Sequence, residues 1–195
     1  NTASIFFTNS AGLSLVGSNG QATQKVVVPF AMGSLSTTGV GTDYVTYNIA
    51  SNSTASAVNG IRPLVTAEYN VNNMGSSVSG DNSQISNSTT SLTSNRTINS
   101  LIMSGATTTQ TMGANLTITA GTILSRSATT SNIILSDSNT RTLTFSREAI
   151  LRSEGSTNTL ILGSTTTSTT ITIGSTNGVA VTGGCSWNKR RHQNQ

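Results

Sequence analysis

The 195-residue chain has little of what most folds rely on: one cysteine, two prolines, one histidine, 4% aromatic and 8% charged residues. A lone Cys185 cannot close an internal disulfide, and no partners stand around it at zinc-ligand spacing. The longest apolar stretch, Val26 to Met32, contains Pro29 and falls far short of the roughly 18 residues of a membrane-spanning helix. Two prolines are too few for a mucin-like stalk. The charged fraction is well below the roughly 25% of ordinary globular domains. With 34% hydrophobic residues, the composition also departs from disordered chains, which join low hydrophobicity to high net charge.

The formal net charge of +4 points to an acidic partner only until the cations are located. Lys189, Arg190 and Arg191 form one terminal run, and the rest of the chain is close to neutral. Arg96, Arg126, Arg141, Arg147 and Arg152 are scattered among Ser and Thr with almost no aromatic interleaving, so a nucleic-acid groove is not expected. The run itself reads as a solvated tail.

What is abundant is Ser, Thr and Asn, together about 44% of the residues. Most aliphatics sit in short pieces such as Leu116-Thr117-Ile118, Ile133-Ile134-Leu135, Leu143-Thr144-Phe145, Leu160-Ile161-Leu162 and Ile171-Thr172-Ile173. Such pieces suit strands with one or both faces buried, and strands this short are stable only among many neighbours. Leu-Thr-Ile puts two aliphatics inward and one hydroxyl outward, and Thr favours extended backbone. Charges stacked on adjacent rungs would repel, which accounts for their scarcity.

Residues 1–90 are irregular, with strand-like runs at Ser4 to Thr8, Lys25 to Phe30, Tyr44 to Ile49 and Leu64 to Val71, and with room for a helical turn or two around Thr66 to Asn72. From about Asn95 the texture repeats. The centres Leu101, Ile123, Leu143, Ile161 and Val181, with a second set Leu116, Ile134, Leu151 and Ile171, predict a period near 20 residues. One coil of a parallel β-solenoid consumes about that length, with Gly105, Gly113, Gly121, Gly163, Gly174 and Gly178 at the corners. The expected fold is all-β: a right-handed parallel β-helix over 91–183, an irregular β-rich cap or first coils over 1–90, and a basic, mobile tail over 184–195. An antiparallel sandwich or barrel is the alternative.

The succession Val28-Pro29-Phe30-Ala31, Thr42-Asp43-Tyr44-Val45-Thr46-Tyr47 and Asn59-Gly60-Ile61-Arg62-Pro63-Leu64, followed by Ala67-Glu68-Tyr69, resembles the region before the repeats in secreted bacterial proteins of the autotransporter-associated β-strand repeat group. Arg96 to Leu101, Ala114 to Gly121 and Gly121 to Ser125 are similar to their coil sequences. The resemblance spans about residues 26–182. It implies an exported β-helix acting as a passenger or stalk, and no catalytic residues. The group's Lys-x-Gly-x-Gly-Thr-Leu phrase and a membrane-barrel segment do not occur in this sequence. The start at Asn1, without Met or a leader, fits a trimmed product. The end from Gly184 to Gln195 is foreign in composition to the rest, as a shifted frame or an added tail would be.

Little in the chain is equipped for catalysis. His192 in the tail is the only histidine, and a Cys185–His192 pair has nothing to orient the ring. No HExxH, Walker-type or EF-hand spacing occurs. Glycoside hydrolysis needs two carboxyl groups across the bond, and the candidates are Asp43, Glu68, Asp81, Asp137, Glu148 and Glu154. The last three lie near Arg141, Arg147 and Arg152, an arrangement equally explained by surface ion pairing. Sequons at Asn52, Asn87, Asn95 and Asn115 are expected by chance in such a composition. No cofactor or metal site is expected, and no catalytic residue is assigned.

The leading expectation is an extracellular, non-enzymatic structural protein at the bacterial cell surface, a rigid stalk or a fibre formed by end-to-end stacking. An adhesin for glycans or a host surface is the alternative, and a polysaccharide-degrading enzyme comes third. No nucleic-acid partner and no membrane span are expected.

Overall fold

The computed structural model describes residues 13–35, 41–48, 60–86, 89–106, 108–126, 132–137, 139–154, 159–163, 171–175, 179–182 and 185–187. The protein is all-β, and its strands are short because polar turn residues recur every few positions. Three strands, β1 (Val28–Gly33), β2 (Asp43–Asn48) and β3 (Gly60–Pro63), form an antiparallel sheet in the order β1-β2-β3. Pro29 and Pro63 are confined to its edge strands, where a missing N–H costs no ladder bond.

The remaining strands are β4 (Asn70–Val71), β5 (Asn82–Ile85), β6 (Thr89–Leu92), β7 (Arg96–Ile98), β8 (Ser100–Met103), β9 (Thr109–Met112), β10 (Leu116–Ile118), β11 (Thr122–Arg126), β12 (Asn132–Ser136), β13 (Arg141–Phe145), β14 (Ala149–Glu154), β15 (Leu160–Leu162), β16 (Ile171–Ser175), β17 (Val179–Thr182) and β18 (Cys185–Trp187). All pair in parallel, in three sheets. Sheet I has the order β17-β14-β11-β8-β5-β4, sheet II β18-β15-β12-β9-β6, and sheet III β16-β13-β10-β7. From β5 onward the chain visits I, II and III in strict rotation, four times over, and then returns to I and II. Among the described residues, antiparallel pairing occurs in β1–β3 and at the isolated bridge between Val16 and Val27.

All three sheets line one apolar core. Ile85, Leu101, Met103, Ile123 and Leu151 enter from sheet I, Leu92, Met112, Ile134, Leu160 and Leu162 from sheet II, and Ile98, Leu116, Ile118, Leu143 and Phe145 from sheet III. The two-residue alternation of a strand decides which side chains enter. In β10, Leu116 and Ile118 are buried and Thr117 is half-exposed. Each fully buried aliphatic contributes about 1.5–3 kcal/mol relative to exposure.

The period differs from the expected 20 residues. In sheet I, Ser83, Leu101, Ile123, Leu151 and Val181 stand in register, so the steps are 18, 22, 28 and 30 residues. In sheet III, Arg96, Leu116, Leu143 and Ile173 give 20, 27 and 30. The sets expected from the sequence mixed sheets: Leu143 belongs to III and Ile161 to II, whereas Leu101, Ile123 and Val181 share sheet I. A constant step fails because strand length is set by the core while connections lengthen independently. Gly105, Gly113, Gly121 and Gly163 do follow strands. Gly174 lies inside β16, and Gly178 is outside the described residues. Gly121 turns the chain from β10 to β11 at φ +74°, and an added Cβ would meet Glu148 O at 2.3 Å.

The N-terminal run Ser4 to Thr8 lies outside the described residues. Leu64 to Val71 is not one strand. Glu68 accepts hydrogen bonds from Val65 N (3.0 Å) and from both terminal nitrogens of Arg62 (2.7 and 2.6 Å), which curls Thr66–Glu68 into a 3-10 turn before β4. The expected boundary at residue 90 falls within the first rotation, between β5 and β7. Of the expected tail 184–195, Cys185–Trp187 forms β18, paired with β15, and 188–195 lie outside the described residues.

Candidate functional site

Sheet I is dry on both faces where β8 and β11 cross it. Leu101 and Met103 of β8 point into the core, while Ile102 joins a second cluster with Val16, Val27, Tyr44, Leu64, Tyr69, Ala120 and Leu124. The antiparallel sheet thus lies over the outer face of sheet I. Its buried Tyr44 places Oη 2.8 Å from both Leu101 O and Thr122 O, carbonyls of two adjacent strands. Burial pushes the Tyr44 and Tyr69 hydroxyls far above the usual phenol range, so both stay neutral, and Tyr69 Oη accepts from Tyr44 N at 3.2 Å. Thr122 Oγ1 donates to Pro29 O at 2.6 Å, and Arg126 pairs with Asp43 at 2.9 Å.

A polar network closes one end of this contact. Asn99 Nδ2 lies 3.1 Å from Val16 O, 3.2 Å from Lys25 O and 2.9 Å from Asn82 Oδ1, and Asn82 Nδ2 donates to Lys25 O at 2.9 Å. Asn82 and Asn99 are fully buried, so these bonds offset a desolvation cost that either side chain would otherwise bear alone. Composition concealed this network, because two asparagines among so many carry no distinguishing signal.

The carboxylates considered from the sequence are occupied by ion pairs or hydrogen bonds, apart from exposed Glu148. Asp137 accepts from Arg141 Nε at 2.9 Å and Nη2 at 2.5 Å, and from Asn139 N at 3.0 Å. The Arg141 hydrogen bonds hold its carboxyl well below the usual carboxylate range, the opposite of what a general acid needs. Glu154 pairs with Arg152, and Glu68 with Arg62 at 2.6 Å. Asp81 accepts from Thr23 Oγ1 and Val78 N, both at 3.0 Å. Arg147 Nη1 donates to Ser14 Oγ at 3.3 Å. Among the described residues no three His, Cys, Asp or Glu side chains gather at metal-binding distance, and no helix is long and apolar enough to cross a membrane. His192 is outside the described residues.

The outer face of sheet III carries a repeated chemistry. Thr97, Thr117 and Thr144 stand in register on β7, β10 and β13, all half-exposed, with Thr142 beside them. The sequon asparagines Asn95 and Asn115 extend the array: Asn115 N donates to Asn95 Oδ1 and Thr142 N to Asn115 Oδ1, each at 3.0 Å. Adjacent rungs of a sheet lie about 4.8 Å apart, so the hydroxyls form an uncharged grid. The Leu-Thr-Ile alternation predicts this face directly. Asn52 and Asn87 lie outside the described residues.

Comparison with protein-family models, with curated proteins and with solved structures returns no match.

Proposed function

We propose that residues from about 70 onward form a right-handed parallel β-helix and that the protein is an extracellular, non-catalytic structural element, a rigid stalk at a bacterial surface like those of the autotransporter-associated β-strand repeat group. The strict three-sheet rotation around one core carries this reading, since parallel strands joined through successive crossovers are right-handed in about 98% of cases. The engagement of Asp137, Glu154, Glu68, Asp43 and Asp81 in ion pairs or hydrogen bonds supports a wall rather than a reaction centre. Small-angle scattering should give an elongated particle with a cross-section of one core. Protease treatment of intact cells producing the protein should remove it. A compact envelope would refute the stalk, and full protection inside cells would refute the location.

The grid on sheet III favours a second reading, an adhesin. Glycans offer hydroxyls that bond readily with threonine and asparagine, and the face carries no competing charge. Thr117→Lys together with Thr144→Lys should abolish attachment to glycans or host cells while leaving circular dichroism unchanged; unaltered attachment would refute it.

A further inference from the structure

We propose that the end of the parallel array nearest β4 is a built terminus that refuses a second copy, so that the end-to-end fibre expected from the sequence cannot grow through it. This rests on the β-helix reading above. Each of the three sheets meets that end with a different device. In sheet I the last strand is β4, only two residues long. Asn72 stops it in a left-handed conformation at φ 54°, with its side chain tied to Ser86 through Nδ2 to Oγ (2.8 Å) and Ser86 N to Oδ1 (2.6 Å). Asparagine is among the few residues that adopt this conformation readily.

In sheet II the 3-10 turn Met74–Ser76 packs against β6, and Met74, 2% exposed, belongs to the same core cluster as Ile85 and Leu92. The turn is anchored from below: Asn70 Nδ2 donates to Ser77 Oγ (3.1 Å), and Ser77 Oγ lies 3.0 Å from Ser83 Oγ. In sheet III the terminal strand β7 carries Arg96 in register with the core residues Leu116 and Leu143. Ile98, two residues on, is fully buried in the core, so alternation turns Arg96 inward as well. Its Nε is buried without a hydrogen-bond partner among the described residues. A copy stacked here would bury this guanidinium further against aliphatics. An inward charge on an edge strand is a known way to keep such an edge unpaired.

The test compares wild type with Arg96→Ile, which completes the aliphatic column, by sedimentation velocity and by hydrogen exchange across a wide concentration range. Wild type should show no concentration-dependent protection at β6 and β7, while Arg96→Ile should gain protection there and at least double its weight-average mass. Wild-type protection at these strands would overturn the proposal, as would a folded Arg96→Ile that gains nothing. Should Arg96→Ile fail to fold, Arg96→Thr removes the charge in less volume and is read identically. Failure of the β-helix reading is separately visible: solid-state NMR would then lack the parallel contacts Ser83–Leu101 and Leu116–Leu143, whatever the association state.

Discussion

Sheets I and III are built by the same rotation of strands, yet the outer face of one is dry and that of the other is wet. On β8 and β11 the outward residues Ile102, Thr122, Leu124 and Arg126 each meet the N-terminal layer. On β7, β10 and β13 they are Thr97, Thr117, Thr142 and Thr144, half-exposed. Both inner faces feed the same core. The difference shows that a strand's two faces answer to separate constraints, the inner one to the common core and the outer one to whatever lies beyond it.

Four substitutions or conditions probe this contrast. Tyr44→Ala should have the largest effect, about 3–5 kcal/mol in urea unfolding, because a buried ring is lost and two strand carbonyls lose their donor. Hydrogen exchange should then rise at β1–β3 well before β10 and β13; uniform exchange throughout would mean the layer and the array are one cooperative unit. Ile102→Ala comes next at about 2–5 kcal/mol, the cost of a cavity between two buried layers.

Acid should loosen the covered side at Glu68. Burial tends to raise the Glu68 carboxyl, but the Arg62 hydrogen bonds, the Val65 N–H and the neighbouring positive charge together lower it. A lowered folded value means this contribution is complete above the ordinary 4.5 and is lost as pH falls from there through the folded value. Limited proteolysis at falling pH should cut near residues 60–69 first, and Glu68→Gln should flatten that dependence. Smallest of all, Thr117→Ala should change stability by no more than about 0.5 kcal/mol, since it removes a half-exposed group from a wet face. A cost near that of Ile102→Ala would show that something covers sheet III.

The wet face was legible in the sequence because Leu-Thr-Ile and Arg-Thr-Leu-Thr-Phe display their alternation within one strand. The doubly covered face left only half a signal. Leu101-Ile102-Met103 announces apolar contact on both sides, but its second partner Tyr44 lies more than fifty residues away. The first rotation was harder to place, since Asn82-Ser83-Gln84-Ile85 contributes one aliphatic and three buried polar residues with separate partners: Asn82 bonds Asn99, Ser83 meets Ser77 and Gln84 donates to Ser104. The carboxylates were countable from the sequence, and the pairs of Asp137 with Arg141 and Glu154 with Arg152 stood close along it, whereas Asp43 met Arg126 only through the fold.

The covering layer also sets an order of events. Pro29 O waits for Thr122, Tyr44 for Thr122 and Asp43 for Arg126, across separations of 93, 78 and 83 residues. A chain emerging N-terminus first must therefore carry Val27, Tyr44 and Leu64 only partly covered until β8 and β11 have been delivered, an interval in which a holding chaperone would find its clearest target.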